Sequence, residues 1–136
     1  MLLLSALSVT PVAFTAAVST PGTVRATSGK VVPFHTVILN TGTVYNSSSS
    51  LFTAPRDGDY FFILNVDVSK DHDCISIRRN GGTVIVADRD DTVSTHLTGS
   101  GVMGLKRGDT VGAYHCTSAG YVESGLESTF SGFLIR

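Results

Sequence analysis

The sequence predicts an all-β sandwich or barrel built from many short strands. The chain has 136 residues, with 14 glycines, no tryptophan and only 15% charged residues. Thr, Ser and Val are abundant, and such a composition favours strands joined by tight turns over helices. Apolar and polar residues alternate in several short runs, and no window has a convincing helical period. The length is typical of one domain.

The first half of the chain is expected to contain four strands. Apolar residues alternate in the first of them, and Pro21-Gly22 is expected to end it. Pro33 cannot donate a hydrogen bond to a ladder, so the early part of the second strand is placed at a sheet edge. Pro55 ends a short third strand, and a long fourth strand follows. The predicted strands are Val12 to Val18, Val31 to Asn40, Leu51 to Ala54 and Tyr60 to Val68.

Short strands and tight turns continue through the second half. Asn80-Gly81-Gly82 is a strong hairpin signal, because Asn and Gly accept a positive φ. Lys106 to Asp109 is a second predicted turn, and a Ser- and Gly-rich loop precedes the last strand. The predicted strands are Ile75 to Arg79, Thr83 to Ala87, Val102 to Leu105, Thr110 to Cys116 and Phe130 to Ile135.

The long strand Tyr60 to Val68 is apolar on both faces at its start. Tyr60 and every second residue after it form one apolar face. Phe61 and Ile63 make the start of the other face apolar too, before Asn65 turns it polar. A strand of this kind is covered on both sides. The cover of its outer face is either another subunit or a loop of the same chain.

Composition and motifs argue against several classes of function. The net charge of −1 gives no basic field, so nucleic acid is not expected as a partner. No stretch is long and apolar enough to insert into a membrane, which takes about 20 residues. The histidines are scattered and no G-x-S-x-G elbow occurs, so the chain is not expected to be an enzyme. Asn46-Ser47-Ser48 would be a glycosylation acceptor if the protein is secreted.

A set of residues between positions 34 and 62 has a distinctive spacing. They are Phe34, Asn40, Tyr45, Phe52, Gly58, Tyr60 and Phe62. This spacing resembles the signature of the C1q domain, the globular head of the C1q/TNF-like superfamily, with Leu64 at the final aromatic position. Segments 12–16, 101–105, 108–111 and 128–135 resemble further parts of the family, so the resemblance covers nearly the whole chain. Within the family, segments 40–42 and 52–58 are most similar to cerebellin-like members.

The resemblance implies a fold and an assembly. The fold is a ten-stranded jelly-roll sandwich of the C1q/TNF-like kind, and it assembles as a homotrimer, in agreement with the doubly apolar strand. The C1q-like globular domain is placed at residues 12–136, and residues 1–11 are interpreted as a leader, either a residual signal or a neck. Short C1q-domain chains of this kind are typically secreted, so an extracellular location is expected.

The state of the two cysteines follows from the resemblance. Composition alone leaves Cys74 and Cys116 open between one disulfide and two buried thiols. In the implied topology they lie on strands separated by another strand, so free, mostly buried thiols are expected. The same separation argues against a zinc site formed by these cysteines with His72 and His115.

An acidic segment is a candidate calcium site. Calcium takes several oxygen ligands from loops, and Asp88, Asp90 and Asp91 are dense in one predicted loop. The resemblance points to the same segment, because some C1q-domain trimers hold calcium near the apex with acidic residues in this region. The alternative is a set of solvated loop charges, whose surface ion pairs contribute only about 0–1 kcal/mol.

Residues and resemblance together predict a secreted, non-enzymatic pattern-recognition protein of innate immunity that binds microbial glycans or lipopolysaccharide. Tyr121, His115 and Glu123 are the candidate ligand-binding residues, because an amphipathic ring in a flexible, polar loop suits carbohydrate binding. One alternative is a cerebellin- or cytokine-like extracellular ligand for a protein receptor. The other is a structural extracellular trimer.

Overall fold

The computed structural model describes residues 10–69, 73–88 and 96–136, with the backbone alone at residues 19–22 and 88. These residues form ten β-strands and no helix, so the predicted all-β class is confirmed. The described part of the chain accordingly has no helix that could cross a membrane. The strands are β1 (Ala13–Arg25), β2 (Thr36–Thr41), β3 (Tyr45–Asn46), β4 (Leu51–Thr53), β5 (Gly58–Asp67), β6 (Cys74–Arg79), β7 (Gly82–Asp88), β8 (His96–Leu105), β9 (Thr110–His115) and β10 (Tyr121–Leu134).

The ten strands form two antiparallel sheets of five strands each, with one hydrophobic core shared between them. The strand order is β2-β1-β10-β5-β8 in the first sheet and β3-β4-β9-β6-β7 in the second sheet. Strands that are neighbours in space are therefore often distant in sequence, as in a jelly roll. The predicted ten-stranded jelly-roll sandwich is confirmed.

The core is built from alternate residues of the strands on either side of it. Along β5, buried and partly buried residues alternate, as expected for a strand with one side on the core. The ring centroid of Phe14 lies 4.7 Å from that of Tyr45 and 5.2 Å from that of Phe130, at the centre of an aromatic cluster. Such pairs contribute about 0.5–1.5 kcal/mol each beyond the burial of their surface.

Two polar signature residues hold the connection between β2 and β3. The side-chain oxygen of Asn40 accepts hydrogen bonds from the N–H groups of Val44 (2.9 Å) and Tyr45 (3.0 Å). The Tyr45 hydroxyl donates to the carbonyl oxygen of Phe34 at 2.8 Å inside the core. Burial raises the pKa of Tyr45 to about 12. These bonds explain why an amide and a phenol occupy positions in and beside an apolar core.

Strand boundaries differ from the prediction at several places. β8 begins at His96 and not at Val102, and the short strand β3 was not predicted. β1 continues through Pro21-Gly22, where its pairing with β10 shifts register, so the proline lies at an irregularity and does not end the strand. β2 begins only at Thr36, and Val31 makes a single isolated bridge to β9. β10 starts at Tyr121, well before the predicted start at Phe130, because its polar first half pairs with the end of β1.

The predicted hairpin between β6 and β7 is present. Asn80 and Gly81 have φ values of 51° and 83°, and positive φ at both central residues is what a type I′ turn requires. Asn80 also ties this hairpin to the next turn, because its side-chain amide donates to Asp109 at 3.0 Å. That hydrogen bond is the main reason why the pKa of Asp109 lies below its usual value.

Candidate functional site

The outward side of the first sheet carries an apolar surface, which we call the sheet face and define by Phe61, Ile63, Val102 and Phe133. Phe133 of β10 and Val102 of β8 flank Phe61 of β5 in one row of the sheet. The ring centroids of Phe61 and Phe133 are 5.4 Å apart. Phe133 nevertheless remains 47% exposed and Val102 60% exposed. Adjacent large apolar side chains left open to solvent mark an interaction site.

Charged side chains lie at the two ends of the sheet face. On β5, Asp59 pairs with Arg136 at 3.3 Å at one end, and Asp67 lies 3.5 Å from His96 at the other. Between these ends, the outward residues of β5, β8 and β10 are uncharged. The exposure of the apolar row also shows that no loop in the described part of the chain covers it. An uncharged centre with polar ends is typical of the core of a protein interface.

Cys74 and Cys116 form a disulfide, so the prediction of two free thiols is wrong. The prediction placed a strand between them, whereas β6 and β9 are direct neighbours in the second sheet. The two Cα atoms are 5.1 Å apart, which is within the range that a disulfide requires. The bond also removes the two thiolates that the disfavoured zinc site would have needed.

The disulfide anchors the loop at residues 116–120, between β9 and β10. Ser28 holds the same loop from another side, because its N–H donates to Oγ of Ser118 at 3.0 Å and its hydroxyl to the carbonyl of Cys116 at 3.1 Å. Ser69 holds the end of the loop, where its hydroxyl accepts a hydrogen bond from the N–H of Tyr121 at 3.1 Å. The sequence predicted a flexible loop, but the structure shows it fastened at three points, to Cys74, Ser28 and Ser69.

The three residues predicted to bind ligand lie in different environments. Tyr121 begins β10 and is 37% exposed. Glu123 lies on the same side of the strand and is half-buried, because Val122 between them faces the core. His115 ends β9 and is only 3% exposed. The structure therefore brings Tyr121 and Glu123 to one surface and places His115 in the interior. Ligand binding by these residues stays a prediction.

Arg25 shares the surface of Tyr121 and Glu123, and the sequence reasoning missed it. Its Cα atom is paired with that of Tyr121 across the ladder between β1 and β10, so the two side chains lie on the same side of the sheet. The residue was missed because the prediction ended the first strand at Pro21-Gly22. We call Arg25, Tyr121 and Glu123 the loop-end surface. It combines a flat ring with a hydrogen-bond donor and an acceptor.

His115 is a buried histidine whose Nε2 has no hydrogen-bond partner among the described residues. Burial lowers the pKa of His115, because desolvation disfavours the imidazolium form, so the ring is neutral at pH 7. Its backbone N–H donates to Lys30 at 2.9 Å and its carbonyl accepts from Gly29 at 2.8 Å. The alternation of Val111, Ala113 and His115 along β9 was the signal that would have placed this ring inside.

The predicted calcium ligands fall mostly outside the described residues. Asp90 and Asp91 lie there, and Asp88 ends β7 with only its backbone described. In the described segments, no group of three or more His, Cys, Asp or Glu side chains is placed to hold a metal ion. Asp73, next to Cys74 in the chain, is a buried carboxylate. Calcium binding by Asp88, Asp90 and Asp91 therefore stays a prediction.

The fold matches those of solved C1q and TNF domains. The globular domain of zebrafish complement 1qA aligns with a TM-score of 0.74 at 20% identity, over 92% of this chain and 98% of that one. The structure of Eiger TNF from S. frugiperda gives 0.77 at 13% identity, over 94% of each chain. Murine APRIL at pH 8.0 gives 0.66 at 14% identity, over 91% of this chain and 98% of that one.

Relatives of known sequence are longer proteins. Human complement C1q tumor necrosis factor-related protein 2 is 29% identical over 110 residues, which is 76% of this chain and 38% of that protein. Caprin-2 of Danio rerio is 33% identical over 129 residues, which is 91% of this chain and 14% of that protein. The chain thus spans well under half the length of either relative. Residues 13–135 match the C1q domain itself. Domains of this kind are non-enzymatic, as predicted, and the chain belongs to the C1q domain family.

Proposed function

We propose that the domain is a secreted, trimeric recognition module that binds microbial glycans or lipopolysaccharide through its loop-end surface. The observation that carries the proposal is the separation of two surfaces. An uncharged apolar sheet face is suited to assembly, and a polar surface with an exposed tyrosine lies at one end of the sandwich. The disulfide supports an extracellular location, because such bonds persist mainly in oxidising compartments.

Assembly through the sheet face is supported by its chemistry. Burial of apolar surface contributes about 25 cal/mol per Å². The uncharged centre of the sheet face adds no penalty for desolvating ions. A trimer would hold three loop-end surfaces in one rigid body, and multivalency of this kind raises apparent affinity by about 10²–10⁴ without any new contact. A shallow site on each subunit is then sufficient for recognition.

Phe133→Asp is expected to convert the trimer into a monomer. In the trimer the new carboxylate would be buried against an apolar surface with no counter-charge, which costs several kcal/mol. In the free subunit position 133 is 47% exposed, so the charge stays hydrated and the fold is retained. Size-exclusion chromatography with light scattering measures the mass, and circular dichroism with a thermal melt checks the fold.

Val86→Asp is the matched control for this change. Val86 is 54% exposed but belongs to β7 of the second sheet, so the variant is expected to remain trimeric. A wild-type protein that elutes as a monomer would contradict the proposed trimer. A Phe133→Asp variant that remains a trimer would show that the subunits meet through another surface.

The loop-end surface has the chemistry that sugars and phosphates require. The ring of Tyr121 offers a flat apolar face, and the carboxylate of Glu123 can accept hydrogen bonds from sugar hydroxyls. The guanidinium of Arg25 matches a phosphate group with two parallel hydrogen bonds, as the phosphorylated sugars of lipopolysaccharide would need. The fastened loop beside it loses little conformational entropy on binding, which favours affinity.

A screen against microbial glycans and lipopolysaccharide, run with calcium and with a chelator, tests this function. The wild-type trimer is expected to bind. Tyr121→Ala and Arg25→Ala are each expected to weaken binding at least about tenfold, or roughly 1.4 kcal/mol, while remaining trimeric. Arg107→Ala is the control, because it removes an exposed arginine from the turn at the opposite end of β5. A trimer that binds none of these ligands would contradict the proposal.

The calcium arm of the screen addresses the acidic segment. We propose that Asp88, Asp90 and Asp91 supply oxygen ligands for calcium, and that bound calcium strengthens ligand binding by the loop-end surface. Asp88 is paired with Cys74 in the β6–β7 ladder, and Cys74 is one half of the disulfide that anchors the loop. Binding that is equal with calcium and with chelator would remove calcium from the mechanism and leave the loop-end surface unaffected.

The similarity to relatives favours one alternative, an extracellular ligand for a protein receptor. One relative is a tumor necrosis factor-related protein, and two structural neighbours are Eiger TNF and APRIL. In that case the trimer would bind a protein on the surface of cells, and the glycan screen would stay blank. The glycan screen and an assay of binding to cell-surface protein are therefore expected to give opposite results for the two functions.

A further inference from the structure

We propose that Asn46 is an N-glycosylation site of the folded domain. The acceptor sequence Asn46-Ser47-Ser48 is the only Asn-x-Ser/Thr tripeptide in the chain, and its middle residue is not proline. Neither the assembly through the sheet face nor the ligand proposed above uses this residue. The inference shares only the secreted location with the proposed function, so failure of the assembly or of ligand binding would leave it standing.

The tripeptide lies at the tip of a hairpin. Asn46 ends β3 and is paired with Leu51, the first residue of β4, across a four-residue turn at 47–50. β3 is one of the two edge strands of the second sheet, and the Asn46 side chain is exposed. A glycan at the tip of a hairpin on an open sheet edge would project into solvent.

The turn orients the Asn46 side chain through hydrogen bonds to its amide oxygen. Oδ1 accepts hydrogen bonds from the N–H groups of Ser48 at 2.8 Å and Ser49 at 3.2 Å. Among the residues that the structure describes, Nδ2 donates to no protein group. The nitrogen that would carry the sugar is thus available, while the local turn that fixes the residue uses only the oxygen.

The folded domain has room for the first sugar. An open cavity of about 430 Å³ beside Asn46 is lined by Thr43, Ser47, Thr53 and the Val44-Tyr45 segment. Hydroxyl and backbone groups there can bond to an N-acetylglucosamine residue. The glycan would lie on the second sheet, away from the outward side of the first sheet, so glycosylation is compatible with assembly.

The chemistry requires a transferase and a lipid-linked oligosaccharide in the lumen of the secretory pathway. Nδ2 of Asn46 forms a bond to C1 of the first sugar, and the bond from C1 to the lipid pyrophosphate breaks. The pyrophosphate leaves with the electron pair, and one amide proton passes to a base of the transferase. The disulfide between Cys74 and Cys116 independently indicates passage through such an oxidising compartment.

The test is expression of the full chain behind a cleavable signal sequence in mammalian cells. The protein from the medium is expected to run faster on a gel after peptide N-glycosidase F treatment. The tryptic peptide 31–56 is expected to carry aspartate at position 46 after that treatment. Ser48→Ala is expected to abolish the modification, because it removes the hydroxyl of the acceptor sequence, and Ser48→Thr is expected to retain it.

Ser49→Ala is the matched control, because it lies in the same turn but outside the tripeptide, and it is expected to stay glycosylated. Treated and untreated proteins are expected to show the same number of subunits by light scattering. Unmodified Asn46 in peptide 31–56 from both the medium and the cells would overturn the proposal. A mobility shift that persists in Ser48→Ala would place the glycan elsewhere and overturn it as well.

Discussion

Replacing Gly132 with alanine is expected to lower the free energy of unfolding by about 1–3 kcal/mol and the melting temperature by roughly 5–10 °C. Gly132 lies in β10, paired with Phe14 of β1 on one side and Phe62 of β5 on the other. A Cβ atom there would lie 2.5 Å from Cδ1 of Phe62 and 2.9 Å from Cε1 of Phe14. Both rings are fully buried, so neither can move without disturbing the aromatic cluster.

Gly82→Ala is the control for this prediction. A Cβ atom at Gly82 would meet only the carbonyl oxygen of Arg79 at 3.5 Å, an ordinary van der Waals distance. Both variants place alanine in a strand, so they share the intrinsic effect of the substitution and differ in the space available. Thermal melts followed by circular dichroism compare them. Equal melting temperatures for the two variants would contradict the packing described at Gly132.

Removing the disulfide by the double change Cys74→Ala and Cys116→Ala is expected to cost about 4 kcal/mol. The two cysteines are 42 residues apart in sequence, and the value is the chain-entropy estimate for closing a loop of that size at 25 °C. Alanine is preferable to serine because Cys74 is buried, and a serine hydroxyl would add a desolvation penalty. Urea unfolding, with a lower midpoint expected in the double variant, measures the loss.

The wild-type protein with a reducing agent serves as the internal comparison. Its stability is expected to fall to about that of the double variant, and the double variant is expected to be insensitive to the reductant. Thiol titration of unfolded, unreduced wild-type protein is expected to find no free thiol. Two reactive thiols in that experiment would contradict the bond between Cys74 and Cys116.

Local sequence patterns were sufficient for much of the fold. The apolar residue at every second position from Tyr60 to Val68 identified β5 and its core face, because a strand with one side on the core repeats every two residues. Asn80-Gly81 identified the hairpin, because few other residues accept positive φ at both central positions. The spacing around Phe34, Asn40 and Tyr45 identified the family. The side chains of Asn40 and Tyr45 make hydrogen bonds to the backbone, and the Phe34 side chain is fully buried.

Long-range pairing was not accessible from such patterns. Nothing in the sequence around Cys74 and Cys116 states that β6 and β9 are neighbours, and the wrong strand order led directly to the wrong prediction of free thiols. Arg25 was missed for the same reason, because it reaches Tyr121 only through the register between β1 and β10. The interior position of His115 was accessible from the alternation in β9, but its polar side chain was interpreted as a surface group.

The pairing of β1 with β10 also has a consequence for the order of folding. These strands come from opposite ends of the domain, with Ala13 opposite Phe133, and they lie in the middle of the first sheet. During synthesis, the edges of β1 and β5 that pair with β10 therefore remain unpaired until β10 has left the ribosome. Contacts between residues so distant in sequence form slowly, because the entropy of closing the loop is lost before the contacts are gained. The domain is expected to complete its fold only after β10 has emerged from the ribosome. Until then the unpaired edges of β1 and β5 can pair with neighbouring nascent chains, which is the main risk of misassembly.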